Sequence, residues 1–224
     1  MALYAARFDA SGRQLAEEPV NGRVCECCST SVALTPDGPI AAFRDRSPQE
    51  IRDIHVSRFQ DGAWSPAVPV HADNWRIDAC PVNGPAIGAS GSTVAVAWFT
   101  ATSDEGHAYA AFSKDAGRTW GEPIRLDDKT ALGHVAIDVL DDGAAVASWV
   151  EFDDQRSRFL ARRIEASGQV SEVVEPAGAS TGRVSGQPRL SRVGNDLVFA
   201  WTESTGDGDA SQQVKVATAP LPGR

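Results

Sequence analysis

The chain of 224 residues lacks the features that would assign it to a membrane or to nucleic acid. No apolar run approaches the roughly 20 residues that a membrane-spanning helix needs. The opening residues MALYAARFDASG have neither the charged segment nor the apolar segment of a signal peptide. Lysine and arginine together number 21, against 30 acidic residues, which gives a net charge of -9. The basic residues form no stripe that could match a phosphate backbone. We therefore expect no membrane span and no nucleic-acid partner.

What the chain has in quantity is turn residues and apolar residues in short runs. It contains 20 glycines and 13 prolines, and 42% of its residues are hydrophobic. This composition is typical of one globular all-β unit with many turns.

A bulky aromatic residue returns at nearly constant spacing inside an apolar run. Phe43, Trp98, Trp149 and Trp201 follow one another at intervals of 55, 51 and 52 residues. A turn glycine keeps the same period, at Gly12, Gly62, Gly117 and Gly168. Short alternating strands with a period near 50 predict the blades of a β-propeller, each a four-stranded antiparallel sheet that stacks on its neighbours.

The repeats predict a single domain over residues 1–224 with about four blades. The predicted bounds are 1–23 for a partial blade, then 24–75, 76–128, 129–178 and 179–224. The chain thus opens half-way through a blade. Either its first strands complete the last blade of a four-bladed ring, or the domain is part of a larger propeller. We favour the second interpretation, which predicts self-association through open blade edges.

One turn carries a recognisable motif. Residues 113–120, SKDAGRTW, match the Asp-box pattern S-x-D-x-G-x-T-W. The five matching residues are Ser113, Asp115, Gly117, Thr119 and Trp120. With its repeats, the chain resembles the sialidase (neuraminidase, BNR-repeat) superfamily of six-bladed propellers. The resemblance implies a glycan-directed protein, either an exo-α-sialidase or a non-catalytic carbohydrate-binding relative, and a secreted or periplasmic location. The motif itself is a structural turn, and it implies no cofactor.

The resemblance also suggests where a substrate would bind. Sialidases hold the substrate carboxylate with arginines, so Arg44, Arg46 and Arg52 are candidates for such a clamp. The alternative is a network in which these arginines pair with the acids beside them. Connections between the predicted blades bring three further candidates to the same rim, namely Trp75, Arg76 and His134.

Catalytic residues are harder to assign. Sialidases use a tyrosine nucleophile paired with a glutamate, and an aspartate as acid and base. The chain has two tyrosines, and Tyr109 lies in the strand-like segment HAYAAF. Asp45, Asp53 and Asp78 are the candidate acids, and the spacing selects none of them. We therefore expect that this chain does not cleave sialosides.

All four cysteines fall in two neighbouring connections between predicted blades. Cys25, Cys27 and Cys28 lie in the first connection, and Cys80 lies in the second. An even number of cysteines favours disulfides, with Cys80 joined to one of the first three. A thiolate cage for Zn²⁺ or Cu(I) is the second interpretation, and reduced, partly buried thiols are the third. A metal-binding or redox site on a propeller scaffold is thus the alternative to a glycan-directed function.

Overall fold

A computed structural model describes residues 1–153, 157–177, 188–204 and 212–223 of the chain. These residues form 18 β-strands and no helix, so none of the described segments could cross a membrane as a helix. The strands form successive antiparallel sheets in chain order, which confirms the all-β prediction.

The first sheet is a two-stranded hairpin, called the N-terminal hairpin below. Its strands are β1 (Leu3–Phe8) and β2 (Gln14–Asn21). Blade 1 follows, and two short strands, β6 and β7, share its outer edge because both pair with β5. Its strands are β3 (Ser31–Thr35), β4 (Gly38–Arg44), β5 (Ile54–Gln60), β6 (Ala63–Trp64) and β7 (Val68–Pro69).

Blades 2 and 3 are four-stranded sheets in simple up-and-down order. Blade 2 consists of β8 (Ala86–Ser90), β9 (Thr93–Thr100), β10 (His107–Ser113) and β11 (Ile124–Arg125). Blade 3 consists of β12 (Thr130–Val139), β13 (Ala145–Phe152), β14 (Ser157–Ile164) and β15 (Val174–Ala177). In blade 4 the described residues form three strands, β16 (Arg189–Val193), β17 (Asp196–Ser204) and β18 (Gln212–Pro220).

The repeated aromatic residue occupies the second strand of every blade. Phe43, Trp98, Trp149 and Trp201 lie in β4, β9, β13 and β17 respectively, as the repeat predicts. Each packs into the apolar layer shared with the preceding sheet. In β9, for example, Val94, Val96 and Trp98 face blade 1, while the alternating alanines face blade 3. The core is therefore a series of layers between blades, as stacking of small sheets requires.

The first strand of each blade lies innermost. β8 lies beside β3 and β12, and β16 lies beside β12. Among the described strands, β1 and β2 pair only with each other and β18 pairs only with β17. The described residues therefore do not form the strand pairing that would close a four-bladed ring.

Two faces result from this topology. We call the edge at which β4, β9 and β13 end the loop face, because the connections between blades also lie there. The opposite edge carries the tight hairpins, including the Asp-box between β10 and β11. The cysteines and the arginine-rich segment 44–53 all lie on the loop face.

Candidate functional site

Arg44, at the end of β4, is a buried brace between two blades. Only 1% of its surface is exposed. It donates hydrogen bonds to three backbone carbonyls, those of Asn83 (2.8 Å), Arg52 (2.5 Å) and Phe99 (2.7 Å). Its guanidinium also lies 5.0 Å from the centre of the Trp75 ring. Arg44 is thus held by the scaffold, and its donors are not presented to a ligand carboxylate.

The other two arginines of the predicted clamp pair with acids. Arg46 Nε lies 2.9 Å from Glu50 Oε2, and Arg46 Nη1 lies 2.7 Å from Glu26 Oε1. Arg52 Nη2 donates to the same Glu50 oxygen at 2.9 Å. The hydrogen bond from Arg46 is the main reason that the pKa of Glu50 is lowered to about 2. The segment therefore forms the self-paired network that the sequence offered as the alternative to a clamp.

The four cysteines lie together beside this network. Cys27 and Cys80 form a disulfide with a Cα–Cα distance of 6.2 Å. Cys25 and Cys28 are free and buried, and their sulfur atoms are 2.6 Å apart. A hydrogen bond from Cys28 lowers the pKa of Cys25 to about 5, while the same contact and burial raise the pKa of Cys28. Arg52 Nη1 lies 3.5 Å from Cys25 Sγ. The contact therefore favours a thiolate on Cys25 that accepts a hydrogen bond from the thiol of Cys28.

Asp53 is a buried anchor for the next connection. Its Oδ1 accepts the backbone N–H of Trp75 at 3.0 Å, and its Oδ2 accepts that of Asn74 at 2.9 Å. The ring of Trp75 is itself buried and packs edge-on against Phe99, with centroids 5.6 Å apart. Both residues thus hold the connection in place, and neither is presented as a ligand-binding side chain.

Three candidate residues lie outside that anchor, near the same rim. Asp45 accepts a hydrogen bond from Asn21 Nδ2 at 3.2 Å. Asp78 and Arg76 are exposed, and Arg76 forms an isolated backbone bridge with Ile51. The structure does not gather the three candidate acids Asp45, Asp53 and Asp78 around one point.

His134 lines a small cavity near the start of the innermost strands, in a distorted part of β12. The register shifts between Ala131 and Ala136, and His134 has a left-handed backbone with φ 54°. Its N–H donates to Asn83 Oδ1 at 2.9 Å. Its Nδ1 is buried and has no hydrogen-bond partner among the described residues, and burial lowers its pKa. This cavity has a volume of about 40 Å³, which admits only a few water molecules.

A larger groove opens between blades 1 and 2 on the loop face. Its volume is about 380 Å³, and its lining residues are His71, Ala72, Asp73, Thr100, Thr102, Tyr109, Glu122 and Pro123. Asp73 Oδ2 accepts a hydrogen bond from Trp98 Nε1 at 2.8 Å. Desolvation by burial raises the pKa of Asp73. Thr100 Oγ1 is buried with no partner among the described residues. The groove thus offers carboxyl, hydroxyl and aromatic groups in a space of ligand size.

Tyr109 contributes one wall of this groove. Its ring lies 5.9 Å from Trp98 and 6.2 Å from His107, measured between centroids. It is therefore both a packing residue and a lining residue. Sequence reasoning singled out Tyr109 but missed Asp73 and Glu122. Asp73 lies in the connection HADNW, and no spacing in the sequence indicates that it lines the same groove as Glu122, 49 positions later.

The Asp-box forms a compact turn on the opposite face. Asp115 Oδ1 accepts hydrogen bonds from Ser113 Oγ (2.7 Å) and from the N–H of Thr119 (2.9 Å). Its Oδ2 accepts from Thr119 Oγ1 at 2.6 Å, and these bonds lower the pKa of Asp115 strongly. Gly117 has φ 81°, and Trp120 packs against the layer between blades 1 and 2. The motif is therefore part of the scaffold.

No protein-family model and no curated protein sequence matches the chain. Solved structures do match it. The chain is similar to an α-L-arabinofuranosidase, Arb93A of Fusarium graminearum, with a TM-score of 0.59 and 14% identity over 96% of this chain and 65% of that one. A GH43_12 protein from a capybara gut metagenome gives a TM-score of 0.54 and 12% identity, over 98% and 46% of the respective chains.

A sialidase is also among the similar structures. A variant of NanB sialidase from Streptococcus pneumoniae gives a TM-score of 0.52 and 10% identity, over 89% of this chain and 32% of that one. Likeness at such low identity establishes the β-propeller fold, which glycoside hydrolases of several kinds share. The chain spans less than two thirds of the length of each of these three proteins.

Proposed function

We propose that this protein is a glycan-directed propeller of the glycoside hydrolase type, and that it binds a neutral sugar residue in the groove between blades 1 and 2. The observation that carries the proposal is the convergence of Asp73, Thr100, Tyr109 and Glu122 in that groove. Sugars present hydroxyl groups around an apolar ring face, and the groove offers hydrogen-bonding groups beside an aromatic ring. Two of the similar structures are named an α-L-arabinofuranosidase and a sialidase. Both names refer to enzymes that act on glycans, which supports a glycan as the ligand of this groove.

The charges of the groove favour a neutral sugar over an acidic one. Two of its lining residues, Asp73 and Glu122, are acidic, and the described lining residues include no arginine or lysine. An acidic sugar would bring a third carboxylate to this place in a chain of net charge -9. The arginines that the sequence suggested for an acidic sugar are held elsewhere, by carbonyls and by Glu26 and Glu50.

Sialidase-type hydrolysis requires more than this groove provides. The reaction needs a nucleophile, an acid and a carboxylate clamp together. Tyr109 and the carboxyl groups lie in the groove, but no arginine among the described residues lines it. We therefore propose that the groove binds a neutral sugar and that the chain does not cleave sialosides. A fluorogenic sialoside should not be hydrolysed above background, and turnover that Tyr109→Phe removes would contradict this part of the proposal.

The indole N–H of Trp98 provides a local reporter of binding. It donates to Asp73, whereas the indole N–H of Trp149 donates to Glu151, on the far side of blade 2. In ¹⁵N-labelled protein, methyl α-L-arabinofuranoside should shift the Trp98 indole signal and leave the Trp149 signal in place. Equal shifts of both signals, or no shift at saturating sugar, would contradict the proposal.

Two variants test the groove directly. Tyr109→Phe removes only a hydroxyl, and Glu122→Gln removes only a charge, so each should weaken binding by about twofold to tenfold, the effect of one hydrogen bond. Glu172→Gln makes the same charge change at an exposed position outside the lining of the groove and serves as the matched control. If Glu122→Gln and Glu172→Gln weaken binding equally, the effect of Glu122→Gln is one of overall charge. If neither groove variant weakens binding more than the control does, the groove is not the site.

A further inference from the structure

The cysteine cluster contains a disulfide that links two connections, and it also has the geometry of a metal site. The sulfur atoms of Cys25, Cys27 and Cys28 all lie within 4.8 Å of one another, and Cys80 is joined to Cys27. Cys25 is 2% exposed and Cys28 9% exposed, whereas Cys80 is an exposed residue. Four sulfurs from two neighbouring connections therefore converge on one point, two of them shielded from water and one at the surface.

The surroundings of this point are positively charged. Arg44 is fully buried and its three hydrogen bonds go to carbonyl groups, so no carboxylate among the described residues is hydrogen-bonded to it. Arg52 is 4% exposed, and its Nη1 contacts Cys25 Sγ at 3.5 Å. The Nε of Arg52 is buried and has no hydrogen-bond partner among the described residues. Because Arg52 also pairs with Glu50 through Nη2, the buried charge that no carboxylate contacts is that of Arg44, and this charge favours an anionic occupant beside the thiols.

We propose that Cys25, Cys27, Cys28 and Cys80 bind one soft d¹⁰ cation, Zn²⁺ or Cu(I), when the Cys27–Cys80 disulfide is reduced. A dithiol reductant supplies two electrons and two protons to this disulfide and becomes a disulfide itself. Four thiols then lose their protons as the cation binds. A tetrathiolate complex of Zn²⁺ carries two negative charges. Arg44 would offset one of them, and Arg52, which shares its charge with Glu50, would lie beside the complex through Nη1.

The distances suit such a complex with a small adjustment. Zinc–sulfur bonds of about 2.3 Å in a tetrahedron place the sulfurs about 3.8 Å apart. Cys25 Sγ and Cys27 Sγ are 3.5 Å apart. The 2.6 Å between the sulfur atoms of Cys25 and Cys28 must widen, which requires one of these two side chains to move. In the oxidised state Cys27 and Cys80 are used by their bond, so reduction controls the number of available ligands.

The test compares oxidised and reduced forms of the whole chain. The protein is reduced with a phosphine, which does not compete as a thiol, and alkylation with mass spectrometry verifies four thiols. Zn²⁺ and Cu(I) are then titrated separately, each against a chromophoric chelator. Reduced protein should bind one equivalent of at least one ion, and oxidised protein should bind it at least about 100-fold more weakly, beyond the loss typical of outer-shell changes. Failure of the reduced protein to bind either ion with this stoichiometry would overturn the proposal.

Variants identify the ligands. Cys80→Ser changes an exposed residue and removes one of the four ligands, so the reduced variant should bind the ion more weakly than the reduced wild type does, and Cys25→Ser should do the same from the buried side. Co²⁺ in the reduced protein should give the absorption bands of a tetrahedral thiolate complex, a readout that a merely destabilised fold would not produce. Glu172→Gln, at an exposed position of blade 3, is the control and should leave affinity unchanged. Binding that survives both serine variants would show that the cluster is not the site.

Discussion

Asp53 divides its two oxygens between two backbone donors, and this geometry predicts a large effect from a small substitution. Oδ1 accepts from Trp75 and Oδ2 from Asn74. In Asp53→Asn one oxygen becomes an NH₂ group, which must face one of these N–H donors. A buried donor without an acceptor costs about 1–3 kcal/mol, and the remaining bond loses its charge assistance. We expect Asp53→Asn to lower the free energy of unfolding by about 3 kcal/mol.

Glu151 provides the contrast. It is buried at the end of β13, and one oxygen, Oε2, accepts all three donors: the N–H groups of Asp128 (2.9 Å) and Lys129 (3.2 Å) and the indole N–H of Trp149 (3.3 Å). In Glu151→Gln the amide oxygen can take this place, with the NH₂ group turned away. Weaker neutral hydrogen bonds are partly offset by the smaller cost of burying a neutral group. We expect a loss of about 1 kcal/mol.

Urea unfolding of the two amide variants and the matching alanine variants measures this difference. Asp53→Asn should resemble Asp53→Ala, whereas Glu151→Gln should be much milder than Glu151→Ala, in which three donors lose their acceptor. For a domain of this size the gap of about 2 kcal/mol corresponds to about 4–8 °C in Tm. The reasoning is refuted if Asp53→Asn is as mild as Glu151→Gln, or if Glu151→Gln equals its alanine variant.

Two further predictions concern the Asp-box. Hydrogen bonds hold the pKa of Asp115 below its ordinary value of 3.8, so the stability that this carboxylate contributes is present above that value and is lost as the pH falls. The free energy of unfolding of Asp115→Asn should therefore depend less on pH below 4 than that of the wild type. Equal slopes would contradict this prediction. Gly117→Ala should destabilise the protein by more than the roughly 1–2 kcal/mol of left-handed strain, because the added Cβ would lie 2.2 Å from Ile40 Cδ1 of blade 1. Ile40→Val removes that atom, so thermal unfolding of the double variant should show partial recovery of stability. A purely additive loss would rule out the clash.

The fold could be predicted from the sequence because one physical requirement repeats in it. Each blade must bury its faces against its neighbours, so a large aromatic residue returns at the same place in the second strand, as Trp98 and Trp149 do. From the apolar residues of the sequence alone, the third strand of blade 1 would begin at Ile51, whereas β5 begins at Ile54. The difference arises because residues 45–53 form the paired loop around Glu50, where Ser47 and Asp45 are bonded within the loop.

The candidate site could be predicted less well, for a reason that Arg44 illustrates. Its position on the loop face follows from the repeat, but the partners that occupy its donors come from three separate segments, at Arg52, Asn83 and Phe99. Whether an arginine is available to a ligand depends on such distant carbonyls, which leave no local signal. The proximity of Cys27 to Cys80 is different, because neighbouring connections on one face are adjacent whatever their side chains do.

The charged residues of the loop face are explained by the backbone of the connections. Stacked blades satisfy the backbone groups of their strands, but the connections between them have no regular hydrogen-bond partners. Asp53 and Glu151 supply acceptors to such N–H groups, and Arg44 supplies donors to carbonyls. In this fold, a charged residue at a strand end is therefore first expected to stabilise the backbone of a connection. A ligand site is better sought where a buried polar group still lacks a partner among the described residues, as Thr100 does in the groove, since a ligand there would satisfy a group that the protein leaves unpaired.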